Sequence, residues 1–292
     1  MFQEEIENSP IIGIRGIEFR LFIRSLLQRT KLSRKNIDIL TNEKNIKMYE
    51  QAFTHRVVDE QFNYEFFELL GDVTCNKIIV WFLKKKFPFL NNSEGVKVIA
   101  RLRINLVSKV TFSGWAQKLD FQKYISYDLE TKMKHEISVL EDCFEAFVGV
   151  TELLIDDMVE GGGFYYCNEF LSSIIEEHVI SLKYKDLYDP ITRLKETFDY
   201  FNSLTLKDTC PFIWGTIKFD AQKLEEGGQH VKLLQKYLKR EELLLEDSGL
   251  ALTEVKYKLC EKYLDFLKKQ GFEKPLPEYY EHIELERKKM YG

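Results

Sequence analysis

Between residues 31 and 180 apolar side chains recur at spacings of three and four almost without interruption, and the stretch holds a single proline, Pro88. That regularity constrains the chain most. A strand repeats every second residue and a helix about every 3.6, so this spacing predicts that nearly all of the stretch folds as packed helices. IKMYEQAFTHR, NYEFFELLGDVTCNKIIVWFLKKKF, GVKVIARLRINLVSKVTFSGWAQKL and ISVLEDCFEAFVGVTELLID all carry it. The loop KKKFPFLNNSEG separates two of them: Pro88 ends one helix and Asn91, Asn92 and Ser93 offer caps for the next. The 22 Phe and 15 Tyr suit helices packed through aromatic knobs. Upstream, IEFRLFIRSLLQRT places Phe19, Phe22, Ile23, Leu26 and Leu27 at helical spacing, which predicts an N-terminal helix docked on the same body.

The pattern changes after a short linker at 181–188. Asp189-Pro190 opens ITRLKETFDYF, with proline in the first turn of a helix. FIWGTIKFD and HVKLLQKYL read as strands, EDSG as a chain break, and LTEVKYKLCEKYLDFLKKQ as a second long helix. The expected organisation is an N-terminal extension over 1–30, an all-α domain over 31–182, a small α+β (α-β-β-β-α) domain over 188–272, and a loosely attached polar tail over 273–292.

The formal net charge is -5 and the sequence pI about 5.7, which argues against a generic, basic nucleic-acid binder. A nuclease whose own site is a carboxylate cluster escapes that objection. Five widely spaced cysteines (Cys75, Cys143, Cys167, Cys210 and Cys260) form no CxxC pair, which argues against zinc and for free thiols in a reducing compartment. MFQEEIENSP has no signal-peptide pattern, and no apolar run approaches the ~18 residues of a membrane span. The expectation is a soluble intracellular protein, cytoplasmic or nuclear, with no membrane partner.

Two helices carry acids inside apolar sequence. Glu65, Glu68 and Asp72 stand at i, i+3 and i+7 among Phe66, Phe67, Leu69 and Leu70. Asp142 and Glu145 stand at i, i+3 among Val139, Leu140, Phe144, Ala146, Phe147 and Val148. Unpaired buried carboxylates are costly, so each stripe needs a divalent cation or basic partners to offset it; the nearby bases in sequence are few, Lys77 and Lys134. Two such helices face to face would build a four-carboxylate site suited to Mg²⁺. On spacing alone, solvated helix faces remain the alternative.

These residues resemble the ribonuclease III family. EFFELLGDVTCN is similar to its signature, in which Glu-x-x-Glu is followed by Leu-Gly-Asp. AFTHR at 52–56, SEGVKVIARLRINLVSK at 93–109, WAQKLDFQKYI at 115–125 and EDCFEAFVGVTELLID at 141–156 resemble the flanking motifs in the same order. The resemblance implies that Glu68, Asp72, Asp142 and Glu145 are catalytic metal ligands, with Glu65 and Glu94 as supporting acids. It also implies Mg²⁺, with Mn²⁺ as a substitute, and a homodimer formed through the endonuclease domain. Double-stranded RNA would be cut to 5′-phosphate and 3′-hydroxyl ends with short 3′ overhangs. The alternative is a non-catalytic RNA-binding or scaffold protein on the same fold; the intact acid quartet favours the enzyme. The chain departs from the family where Tyr64 replaces an Asn and Phe66-Phe67 replace Arg-Leu, removing an arginine that could pair with the acids.

The second domain resembles the double-stranded-RNA-binding domain that commonly follows this nuclease. His230, after Gly228-Gln229, falls where the family loop enters the minor groove, and Lys256, Lys258 and Lys262 remain to grip phosphates. The usual basic cluster is missing: Glu254 stands in its place, and residues 189–269 hold 14 Lys/Arg against 14 Asp/Glu. Few phosphate contacts imply weak binding, with a protein partner as the alternative role. The glycine run at 161–163 lacks the strand and the GK[ST] of a phosphate loop and reads as a helix end.

Overall fold

The computed structural model describes residues 10–204, 213–225 and 227–291. It separates into two compact units, Met1–Ile180 and Ser181–Gly292.

The first unit is helical, as its spacing predicts. Its elements are β1 (Pro10–Ile11), α1 (Ile17–Leu27), α2 (Arg34–Leu40), α3 (Ile46–Ala52), α4 (Glu65–Lys86), α5 (Gly95–Leu106), α6 (Lys109–Lys118), β2 (Tyr127–Asp128), α7 (Leu129–Asp156) and α8 (Gly163–Ile175). All five predicted apolar residues of α1 are buried. They meet Phe53, Phe121 and Tyr124 in an aromatic cluster that continues through Phe144 and Phe147 of α7 to Phe170 of α8. The short pairing of β1 with β2 brings the N-terminal segment across the start of α7. There Arg15 donates to the Tyr124 carbonyl at 2.5 Å and to Ser126 Oγ at 2.8 Å. Asp128 caps α7, accepting from the Thr131 N–H at 2.8 Å.

The longest helices, α4 and α7, form the central pair. Their approach depends on two glycines. A Cβ on Gly71 would lie 1.8 Å from the Glu145 carbonyl oxygen, and one on Gly149 would lie 2.1 Å from that of Phe67. No other residue type fits either position without separating the helices. The acids of α4 and α7 flank this crossing.

The second unit contains α9 (Tyr184–Leu187), α10 (Pro190–Ser203), an antiparallel sheet of β3 (Thr216–Lys223), β4 (Gln229–Tyr237) and β5 (Arg240–Gly249) in that order, α11 (Leu252–Lys269) and α12 (Glu278–Tyr291). Asp189 caps α10 through the Thr192 N–H at 2.9 Å, with Pro190 in the first turn. Leu194 and Phe198 of α10, Val231 and Leu233 of β4, and Val255, Leu259 and Leu267 of α11 make its core.

Three details depart from the sequence reading. EDSG does not break the chain but completes β5, because Asp247, Ser248 and Gly249 pair with Val231, His230 and Gln229. The tail, expected to be loose, holds α12, with Tyr280 and Ile283 buried. The strand expected to start at Phe212 begins at Thr216; Phe212 itself, like Cys210, lies outside the described residues. The four described cysteines are free and buried. No described helix is long and apolar enough to cross a membrane.

Candidate active site

Helix α4 presents three kinds of face. Phe67, Gly71, Thr74 and Cys75 are buried, Phe66, Leu69 and Val73 are exposed, and Glu68 and Asp72 lie on the boundary between them. The acids therefore stand at the edge of the core, where α7 closes over them, and the helix has apolar residues on both sides of the acidic stripe.

Among the described residues, the carboxylates of Glu68, Asp142 and Glu145 come together, with one oxygen from each within 4.8 Å of the others. Glu145 is the most buried, at 6% exposure. Burial, followed by the charges of Asp72, Glu141, Glu68 and Asp142, pushes its carboxyl up to about 9. Glu68 is pushed up to about 7 by burial and then by Asp142, Glu65, Glu141 and Asp72. The charges that act most strongly on these two acids all come from other acids, so each raises the cost of ionising its neighbour. Asp142 is also raised by burial, against a hydrogen bond from the Tyr64 hydroxyl at 2.9 Å and the charge of Lys109.

Asp72 lies outside that trio but is the first charged neighbour felt by Glu145. Its Oδ1 accepts from the Asn76 amide at 2.7 Å, and Asn76 Oδ1 in turn accepts from Arg103 at 3.2 Å. Glu65 and Glu94 are also outside the trio. Glu65 is exposed and 3.5 Å from Arg56, and Glu94 is exposed ahead of α5. Beside Asp142 and Tyr64 opens a cavity of about 900 Å³, lined also by His55, Arg56, Glu65 and His135.

Sequence reading named the acids and missed their supports. Tyr64 counted only as a departure from the family, and Asn76, Arg103 and Lys109 drew no attention. Lys77, one of the two bases noted, instead sits 4.2 Å over the Phe164 ring. Lys134 pairs with Glu130 at 2.7 Å, while Lys109 is the base that reaches Glu141, at 3.3 Å. The phenylalanine at the position of the absent family arginine, Phe66, points to solvent.

In the second unit the expected RNA-contacting residues are engaged internally. Lys258 and Lys262 both lie 2.9 Å from Asp247 Oδ2, and their hydrogen bonds, with one from the Ser248 N–H, hold the Asp247 carboxyl well below the usual carboxylate range. His230 Nδ1 lies 2.9 Å from Ser248 Oγ and its Nε2 is 3.5 Å from Glu246. Lys256 sits 5.1 Å over the Phe219 ring.

Residues 65–154, spanning both acidic helices, match the Ribonuclease III domain family. A putative ribonuclease 3 of Invertebrate iridescent virus 6 is 34% identical over 238 residues, covering 77% of this chain and 77% of that one. The chain belongs to the ribonuclease III family of endoribonucleases. A putative ribonuclease 3 of Frog virus 3 (isolate Goorha) is 35% identical over 168 residues, covering 56% of this chain and 45% of that one. Among solved structures, the nuclease domain of ribonuclease III from Campylobacter jejuni aligns at 22% identity with a TM-score of 0.43, covering 58% of this chain and all of that one.

Proposed function

We propose that this chain is a Mg²⁺-dependent endonuclease of double-stranded RNA that uses Glu68, Asp72, Asp142 and Glu145. The observation that carries the reading is the convergence of Glu68, Asp142 and Glu145, partly buried, with all three carboxyls raised, by burial first. An all-oxygen acidic donor set at a half-buried position fits a hard divalent cation. Glu68, Asp142 and Glu145 would hold it, with Asp72 as the fourth acid; a bound Mg²⁺ supplies neutralisation of the phosphodiester charge and acidification of water. The chain's own part is to keep these carboxylates together at a rigid helix crossing, in a half-buried setting that strengthens their hold on a cation. The cleft beside Asp142 opens next to one of these four acids.

The exposed stripe of Phe66, Leu69 and Val73 on α4, with Phe62 just before it, supports a homodimer formed through this unit, since a run of exposed apolar side chains on one helix face favours burial against a second copy. Two copies would present two sites, one for each strand, and the products would carry 5′-phosphate and 3′-hydroxyl ends with short 3′ overhangs. The second unit would add little grip on RNA, because Lys258 and Lys262 are already paired with Asp247, which leaves it available to a protein partner.

The test is incubation of the full chain with long duplex RNA in Mg²⁺ and in EDTA, followed by end analysis of the products. Mg²⁺-dependent fragments with phosphorylated 5′ ends are expected; intact RNA in both conditions refutes the enzyme reading in favour of a non-catalytic RNA-binding protein.

A further inference from the structure

Two of the four acids have one oxygen already occupied. Tyr64 is buried at 4% exposure, its ring set edge-on to His55 at 5.7 Å, and its hydroxyl donates to Asp142 Oδ2 at 2.9 Å. On the other side of the cluster, Asn76 donates through Nδ2 to Asp72 Oδ1 at 2.7 Å and to the Asp72 carbonyl at 2.9 Å. The amide has a defined orientation, because its own oxygen accepts from Arg103 at 3.2 Å and so its NH₂ must face Asp72. Neither donor belongs to the acid quartet, and the two reach it from opposite ends.

A hydrogen bond to one carboxylate oxygen takes up one of its lone pairs and its preferred orientation, and so disfavours ligation of a cation by both oxygens over ligation by the other one alone. Mg²⁺ requires near-octahedral, one-oxygen ligation at about 2.0–2.1 Å, whereas Ca²⁺ takes six to eight oxygens at about 2.3–2.6 Å and readily uses both oxygens of a carboxylate. Resting on the metal-site reading above, we propose that Tyr64 and Asn76 are positioning residues that set the ion preference, by restricting Asp142 and Asp72 to single-oxygen ligation. Arg103 acts one step further out, by fixing the Asn76 amide. Partners of this kind commonly change metal affinity by about 10–100-fold when removed.

The test is Mn²⁺ binding to the full chain followed by electron paramagnetic resonance without RNA, with Mg²⁺ and Ca²⁺ as competitors. The readout is the ratio of the two competition constants. Tyr64→Phe keeps the ring, Asn76→Ala removes the amide, and Arg103→Gln touches no ligand. The first two are expected to move the ratio toward Ca²⁺ by about tenfold each, and Arg103→Gln in the same direction by less. An unchanged ratio in Tyr64→Phe and Asn76→Ala, with Mn²⁺ still bound and the circular dichroism unaltered, overturns this assignment and leaves the nuclease reading standing. Absence of Mn²⁺ binding in the wild-type chain overturns both.

Discussion

Glu145 and Glu68 carry their protons to unusually high pH, and this has a thermodynamic consequence. Between the unfolded carboxyl value of 4.5 and the folded values of about 9 and about 7, the folded chain binds more protons than the unfolded one. Stability from these groups is therefore complete below pH 4.5 and is lost as pH rises through 7 and then 9. Without divalent ions the melting temperature is expected to fall between pH 6 and 9, and added Mg²⁺ should restore it most at the alkaline end, where the carboxylates are free to ligate. A calorimetric series with and without Mg²⁺ checks this; a melting temperature that rises over the same range contradicts it. At this scale the acids are legible because all four sit at local helical spacing on two helices, while their supports are not. The Tyr64–Asp142 hydrogen bond spans 78 residues and the Arg103–Asn76 bond 27, and only the folded chain brings such pairs together.

At the scale of elements, periodicity revealed the helices and the change of architecture after residue 180. It did not reveal how closely α4 and α7 meet, because that rests on Gly71 and Gly149 being opposite one another's backbone, a relation no one-dimensional pattern contains. Nor did it reveal that polar EDSG continues a strand, since pairing with β4 overrode its weak strand propensity. Asp247, in that same segment, is the counter-ion of the two α11 lysines. Asp247→Asn in the full chain should leave both lysines free for phosphate. Gel-shift affinity for duplex RNA in Ca²⁺ is expected to rise, and the slope of log affinity against log salt to steepen by up to about two. Unchanged affinity and slope would show that these lysines face no RNA.

For the whole molecule, the net charge of -5 looked like the main obstacle to a nucleic-acid enzyme. Its meaning changes because part of that charge is a cluster of acids in one unit, while in the other much of the positive charge is paired internally. Under the proposed function the helical unit holds the chemistry, and the α+β unit contributes little nonspecific grip. Whether Glu68, Asp72, Asp142 and Glu145 form the reaction centre is decided by the single-turnover cleavage rate of one labelled duplex RNA in Mg²⁺ by wild type and Glu145→Gln. The change keeps the side-chain shape and replaces a carboxyl that, without a cation, is already protonated at neutral pH, so the mutant should stay folded. A rate loss of at least ~100-fold, about 2.7 kcal/mol in activation free energy, is expected. Equal rates from the two proteins would contradict the account.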